Sequence, residues 1–161
     1  MGIEFSPKME ARAAAVCAML RAGGLRLHPL VERVVLHGSR VPGGCPRPDS
    51  DIDLSLLVRF GGRELQAERL TLLAEVTDAA LASWSGPLEL DIAVVFDQRG
   101  CSLGCFGLAH WQPGDCRLGG VDCFGLFKSQ KGFNGLVENA GIQVARMQPS
   151  LVLWQKETGA G

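Results

Sequence analysis

Two short apolar segments, separated by a glycine-serine pair and a Gly/Pro-rich connection, constrain this chain more than any other feature. Val34 to Val58 reads VVLHGSRVPGGCPRPDSDIDLSLLV. Arg33 to His37 reads as a strand that stops at Gly38-Ser39, and a second strand opens with two aspartates. On a period of two, Asp51, Asp53, Ser55 and Leu57 share one face of that strand; Ile52, Leu54, Leu56 and Val58 share the other. The second set suits burial. The first then presents two carboxylates one strand repeat apart, roughly 6 to 7 Å along the backbone. Carboxylates so close repel, and a shared proton, a basic side chain or a bound cation relieves the repulsion. No arginine or lysine alternates with them. The spacing therefore favours a hard divalent cation, which takes one or two carboxylates together with waters and phosphates.

The residues just before fit the same chemistry. Glycine lets backbone approach a phosphate closely, and a serine hydroxyl with neighbouring N–H groups can donate to it. Arg40 follows at once and offers charge for a phosphate. Gly-Ser after an apolar strand, then Asp-Ile-Asp-Leu after a connection, resembles the signature of the DNA polymerase beta-like nucleotidyltransferases. The wording HGSR followed by SDIDL is similar to their small bacterial members, the minimal nucleotidyltransferases of antitoxin type. The resemblance spans about Val31 to Asp97. It calls for a third carboxylate on a later strand, and LELDIAVVF, from Leu88 to Phe96, supplies Asp91, with Glu89 as its rival on the same face.

That resemblance implies an α/β (α+β) fold of nucleotidyltransferase type, with a mixed sheet of about three to five strands packed on helices. It implies that Asp51, Asp53 and Asp91 hold a two-metal Mg²⁺ site, open to Mn²⁺, and carry the catalysis. Gly38, Ser39 and Arg40 would hold the nucleoside triphosphate. The implied activity is transfer of a nucleoside monophosphate, AMP from ATP, to a hydroxyl, with a tyrosine of a HEPN-type partner protein as leading acceptor. Alternatives are an antitoxin-like subunit acting by complex formation, a transferase acting on a small molecule such as an antibiotic, and a nucleotide-binding regulator without turnover.

Length and charge narrow the setting. A chain of 161 residues suits one domain, read as a core motif region over 31–97 and a loop-rich extension over 98–161. A net charge of −1 advertises no extended nucleic-acid surface. Glu4, Lys8, Glu10 and Arg12 interrupt the first twenty residues, so the expected setting is cytoplasmic with no membrane contact. Cys101, Cys105, Cys116 and Cys123 cluster around His110, but gaps of three, ten and six residues lack the tight pairs of a zinc knuckle. They read as reduced, small apolar residues.

The remaining expectations follow chain order. A helix runs from the Ser6-Pro7 start to Gly23-Gly24. His37 reads as a strand-end histidine satisfied by backbone, with a phosphate or acceptor contact as the alternative. The prolines between Val41 and Pro48 leave room for a short helical turn. A long helix over about 63–83 buries Leu65, Leu72, Leu73, Val76 and Ala80. From Gln98 to Gly120 periodicity is lost, which suits a long loop serving as a lid or partner surface; Phe106 and Trp111 there read as packing residues or base-stacking ones. Leu136 to Ala140 reads as a short helix, and Ile142 to Met147 and Leu151 to Trp154 as two strands.

Overall fold

The computed structural model describes residues 2–60, 66–97, 124–138, 140, 143, 147 and 149–156. Within them the chain is a mixed α+β structure: helices α1 (Pro7–Arg12), α2 (Ala14–Ala22) and α3 (Gln66–Ser83), and strands β1 (Val31–His37), β2 (Ile52–Val58), β3 (Leu90–Asp97), β4 (Phe124–Lys128), β5 (Gly135–Leu136) and β6 (Ser150–Gln155). The strands form a single sheet in the order β5-β4-β3-β2-β1-β6. Among the described residues only the β2–β3 pair is parallel, and α3 lies in the crossover between them. A parallel pair needs such a crossover because a tight turn cannot return the chain in the same direction.

Six strands exceed the expected three to five. The difference arises beyond Phe124, where side-chain period gives little warning. FGLFK pairs antiparallel with β3, and Gly135–Leu136 adds an edge strand where a helix was expected. Gln143 is helical, which contradicts a strand across Ile142 to Met147, whereas β6 matches the second expected strand and pairs with β1. The expected single N-terminal helix is broken at Ala13, which has φ −142° and ψ 49°. Ser6 caps α1 as its sequence suggests, accepting from the Met9 N–H at 3.2 Å. The helical turn near the Gly-Ser pair falls on Gly38–Arg40, ahead of the prolines. The cysteine cluster, His110, Phe106, Trp111, Leu65 and the 98–120 stretch lie outside the described residues.

The sheet has two unlike faces. Leu36, Ile52, Leu54, Leu56, Leu90 and Ile92 are buried against α2 and α3, with Leu20, Leu73, Val76 and Ala80 facing them. Each such side chain contributes about 1.5–3 kcal/mol when fully buried, so this face holds most of the fold's stability. On the other face Val35, Leu57, Ala93, Val95 and Leu126 form a smaller cluster with Ala140, Val137 and Met147. That cover reaches one end of β2 and β3. At the other end the same face carries Asp53 and Asp91. Among the described residues, no helix is long and apolar enough to cross a membrane.

Candidate active site

Strand register brings the acidic residues together. β2 and β3 run in parallel with Asp53 opposite Asp91, and β1 runs antiparallel to β2 with His37 opposite Asp53. Three neighbouring strands therefore put His37, Asp53 and Asp91 side by side at one end of the open face. Asp51 precedes β2 and is half-buried. Burial pushes the Asp53 carboxyl up to about 6, helped by the charge of Asp91, a hydrogen bond with Asp91 and the charge of Asp51, and opposed by Lys128. Asp53 and Asp91 are thus the tight pair, close enough to hydrogen-bond and to repel one another when both are charged.

Asp51 is turned elsewhere. Its Oδ2 lies 2.8 Å from Nζ of Lys131, which also reaches Glu89 Oε2 at 3.2 Å. Those two carboxylates hold the Lys131 ammonium well above its ordinary range, the Asp51 hydrogen bond contributing most. Lys128 Nζ stands 2.5 Å from Asp91 Oδ1. Lysines from β4 and the following turn therefore supply counter-charge that no alternation within β2 could reveal. The available signal was the run FKSQKG, in which two lysines flank a turn after an alternating strand.

Gly38 shapes the wall beside Asp53. Its φ is +78°, and a Cβ there would lie 2.5 Å from Asp53 Oδ2. Only glycine combines that backbone conformation with so close an approach. Ser39 is exposed at the same bend. Arg40, at the same bend, is engaged with backbone carbonyls. Its Nε donates to the Ser50 carbonyl at 3.0 Å, and its Nη2 to the Ser50 carbonyl at 2.8 Å and toward those of Arg47 and Pro48. The guanidinium thereby clasps the connection that delivers Asp51, gathering several of its carbonyls around one side chain.

His37 has the backbone-satisfied role expected for it, with Ser55 as a second partner. A carbonyl can only accept, so Nδ1–H donates to Met147 O at 2.5 Å; Nε2 then accepts from the Ser55 hydroxyl at 2.6 Å. Burial, aided by the charge of Lys128, lowers the imidazole from 6.5 to about 4, against the opposing effect of the Met147 bond. The folded protein thus binds this proton more weakly than the unfolded chain does. The stability that the neutral ring contributes is complete above about pH 6.5 and lost as pH falls toward 4. Urea midpoints at pH 7.5 and 4.5 should therefore show a His37-dependent loss of about 2–3 kcal/mol. His37→Gln should flatten that dependence; an unchanged slope would exclude the neutral-ring assignment.

Oxygen donors on two adjacent strands, crowded enough that burial and mutual repulsion raise Asp53, suit a hard divalent cation. Among the described residues, however, no three His, Cys, Asp or Glu side chains are set as a formed metal cage. Asp51, paired with Lys131, is the ligand that would have to turn inward. No protein-family model matches the chain, and a comparison with curated proteins gave no match.

Proposed function

We propose that this protein is a Mg²⁺-dependent nucleotidyltransferase of DNA polymerase beta-like fold, moving a nucleoside monophosphate, AMP from ATP, onto a hydroxyl. The observation that carries the reading is the Asp53–Asp91 register beside a left-handed glycine at the end of β1. An Asp53 carboxyl raised by burial and by the charge of two neighbouring carboxylates gains from a cation, and a glycine in contact with it leaves backbone open to a phosphate. A structural role alone gives no reason to concentrate charge there.

In this reading Asp53 and Asp91 hold the cation, with Asp51 joining them after release from Lys131. Bound Mg²⁺ would supply charge neutralisation at the α-phosphate and at the departing pyrophosphate. The Gly38–Ser39 bend would receive the triphosphate through its N–H groups and the Ser39 hydroxyl. Asp91 would stand nearest the attacking hydroxyl and accept its proton as the oxygen bonds to the α-phosphorus and pyrophosphate leaves. Positioning and charge account for the acceleration; no covalent enzyme intermediate is needed.

The leading acceptor is a tyrosine of a HEPN-type protein, and incubation with the protein encoded beside this one tests it. Each α-labelled nucleoside triphosphate is supplied with Mg²⁺. Label should appear on a tyrosine of the neighbour, ATP should be preferred, and Asp53→Asn should abolish the transfer. Tight complex formation without label would favour an antitoxin-like binding subunit. Failure to bind any triphosphate with Mg²⁺ by calorimetry would end the nucleotidyltransferase reading.

A further inference from the structure

The two lysines at the carboxylates come from one short, firmly seated segment. The Gln130 side chain donates to Leu90 O and accepts from Ile92 N, both at 2.9 Å, so it staples the end of β4 to backbone on either side of Asp91. Phe133 N donates to Gln130 O at 3.1 Å and closes the turn. Within it Lys131 takes φ 57°, a left-handed conformation unfavourable for a residue with a Cβ. Such backbone persists where the surroundings over-determine it, and it concentrates at functional sites. Its result here is an ammonium placed between Asp51 and Glu89.

The two cations differ in access. The Lys128 and Asp91 side chains are 14% and 16% exposed, whereas those of Lys131 and Asp51 are 41% and 30% exposed. A ligand arriving from solvent meets Lys131 first. Four carboxylates (Asp51, Asp53, Glu89 and Asp91) against two ammonium groups leave a formal charge of −2, which one divalent cation neutralises. A triphosphate brings further negative charge, which calls for cations that the carboxylates no longer need.

We propose that Lys128 and Lys131 are exchangeable counter-charges: they hold Asp91 and Asp51 while the site is empty and turn to the triphosphate oxygens when a divalent cation takes the carboxylates. The inference rests on the nucleotidyltransferase reading and adds a coupling between its two ligands. A cation binding alone must displace the ammonium groups, so it binds weakly. With nucleotide present the displaced ammonium groups gain phosphate partners, and each ligand strengthens the other.

The test uses the full chain and two binding measurements, neither of which requires turnover. Mn²⁺ alone is titrated and followed by electron paramagnetic resonance. α,β-Methylene-ATP with Mg²⁺ is followed by calorimetry. Lys131→Gln, on an exposed turn, should bind Mn²⁺ about fivefold tighter and the nucleotide about tenfold weaker, because one positive charge is removed from both sites of action. Lys131→Arg should restore nucleotide binding. Lys128→Met, which keeps an unbranched side chain but gives up the ammonium's place over the Phe133 ring, should show the same opposed pair of changes. Weakening of both ligands would reduce the lysines to braces for the carboxylates and overturn the inference, as would no change in either. Wild-type protein that binds neither Mn²⁺ nor nucleotide would instead remove the underlying transferase reading.

Discussion

Replacing Asp53 by asparagine should stabilise the cation-free protein at pH 8 and at the same time destroy its Mg²⁺-dependent activity. The two effects have one cause. Burial first, and then the neighbouring carboxylates, raise the Asp53 carboxyl to about 6, so its charged form is disfavoured in the folded state. Because the folded value lies above the unfolded one, the favourable contribution is complete below about pH 4 and is lost as pH rises through 6. At pH 8 the group is ionised and costs stability. Each tenfold change in proton affinity corresponds to about 1.4 kcal/mol. Screening at this half-buried position reduces the expected gain from Asp53→Asn to about 1–2 kcal/mol. Denaturation in the presence of a chelator should show that gain at pH 8 and little of it at pH 4. The same variant lacks the anionic oxygen needed for a divalent cation, and loss of several kcal/mol of charge stabilisation implies a rate about a thousandfold lower or less. A variant that is destabilised at pH 8, or that transfers label within tenfold of wild type, would contradict this account of Asp53.

Gly38→Ala should combine a stability loss with a disproportionate loss of function. At φ +78° the added methyl costs about 1–3 kcal/mol in backbone strain. It would also lie 2.5 Å from Asp53 Oδ2, and the carboxylate has little room to retreat because Asp91 stands on its other side. Displacement of a positioning group by about 1 Å can cost about a hundredfold in rate. Gly43→Ala separates the two effects. Gly43 has φ +91° but nothing within 4 Å of the added Cβ, so this variant should show the strain with near-normal activity. Equal activity in the two variants would mean that Gly38 matters only as a turn residue.

Alternation in β2 was legible because one face is wholly apolar: Ile52, Leu54, Leu56 and Val58 are each at most 1% exposed. The stripe on α3 was legible for the same reason, with Leu73, Val76 and Ala80 fully buried. Where the Arg40 guanidinium rests was not legible, because charge beside a Gly-Ser bend says nothing about which acceptors lie in reach. It takes carbonyls of the connection that follows, chiefly that of Ser50. Leu136, the expected start of a short helix, misled because a two-residue edge strand has no period of its own; pairing with β4 defines it.

The chain's local chemistry alone determined a strand, a glycine bend, and a second strand with carboxylates on one face and aliphatic side chains on the other, since strand period and glycine's lack of a Cβ act over a few residues. Tertiary structure decided which carboxylates meet. Parallel register placed Asp91 opposite Asp53, and the staple at Gln130 brought Lys128 and Lys131 from more than thirty residues away to Asp91 and Asp51. Electrostatic partners are chosen by distance in space, and period along the sequence carries no record of that distance.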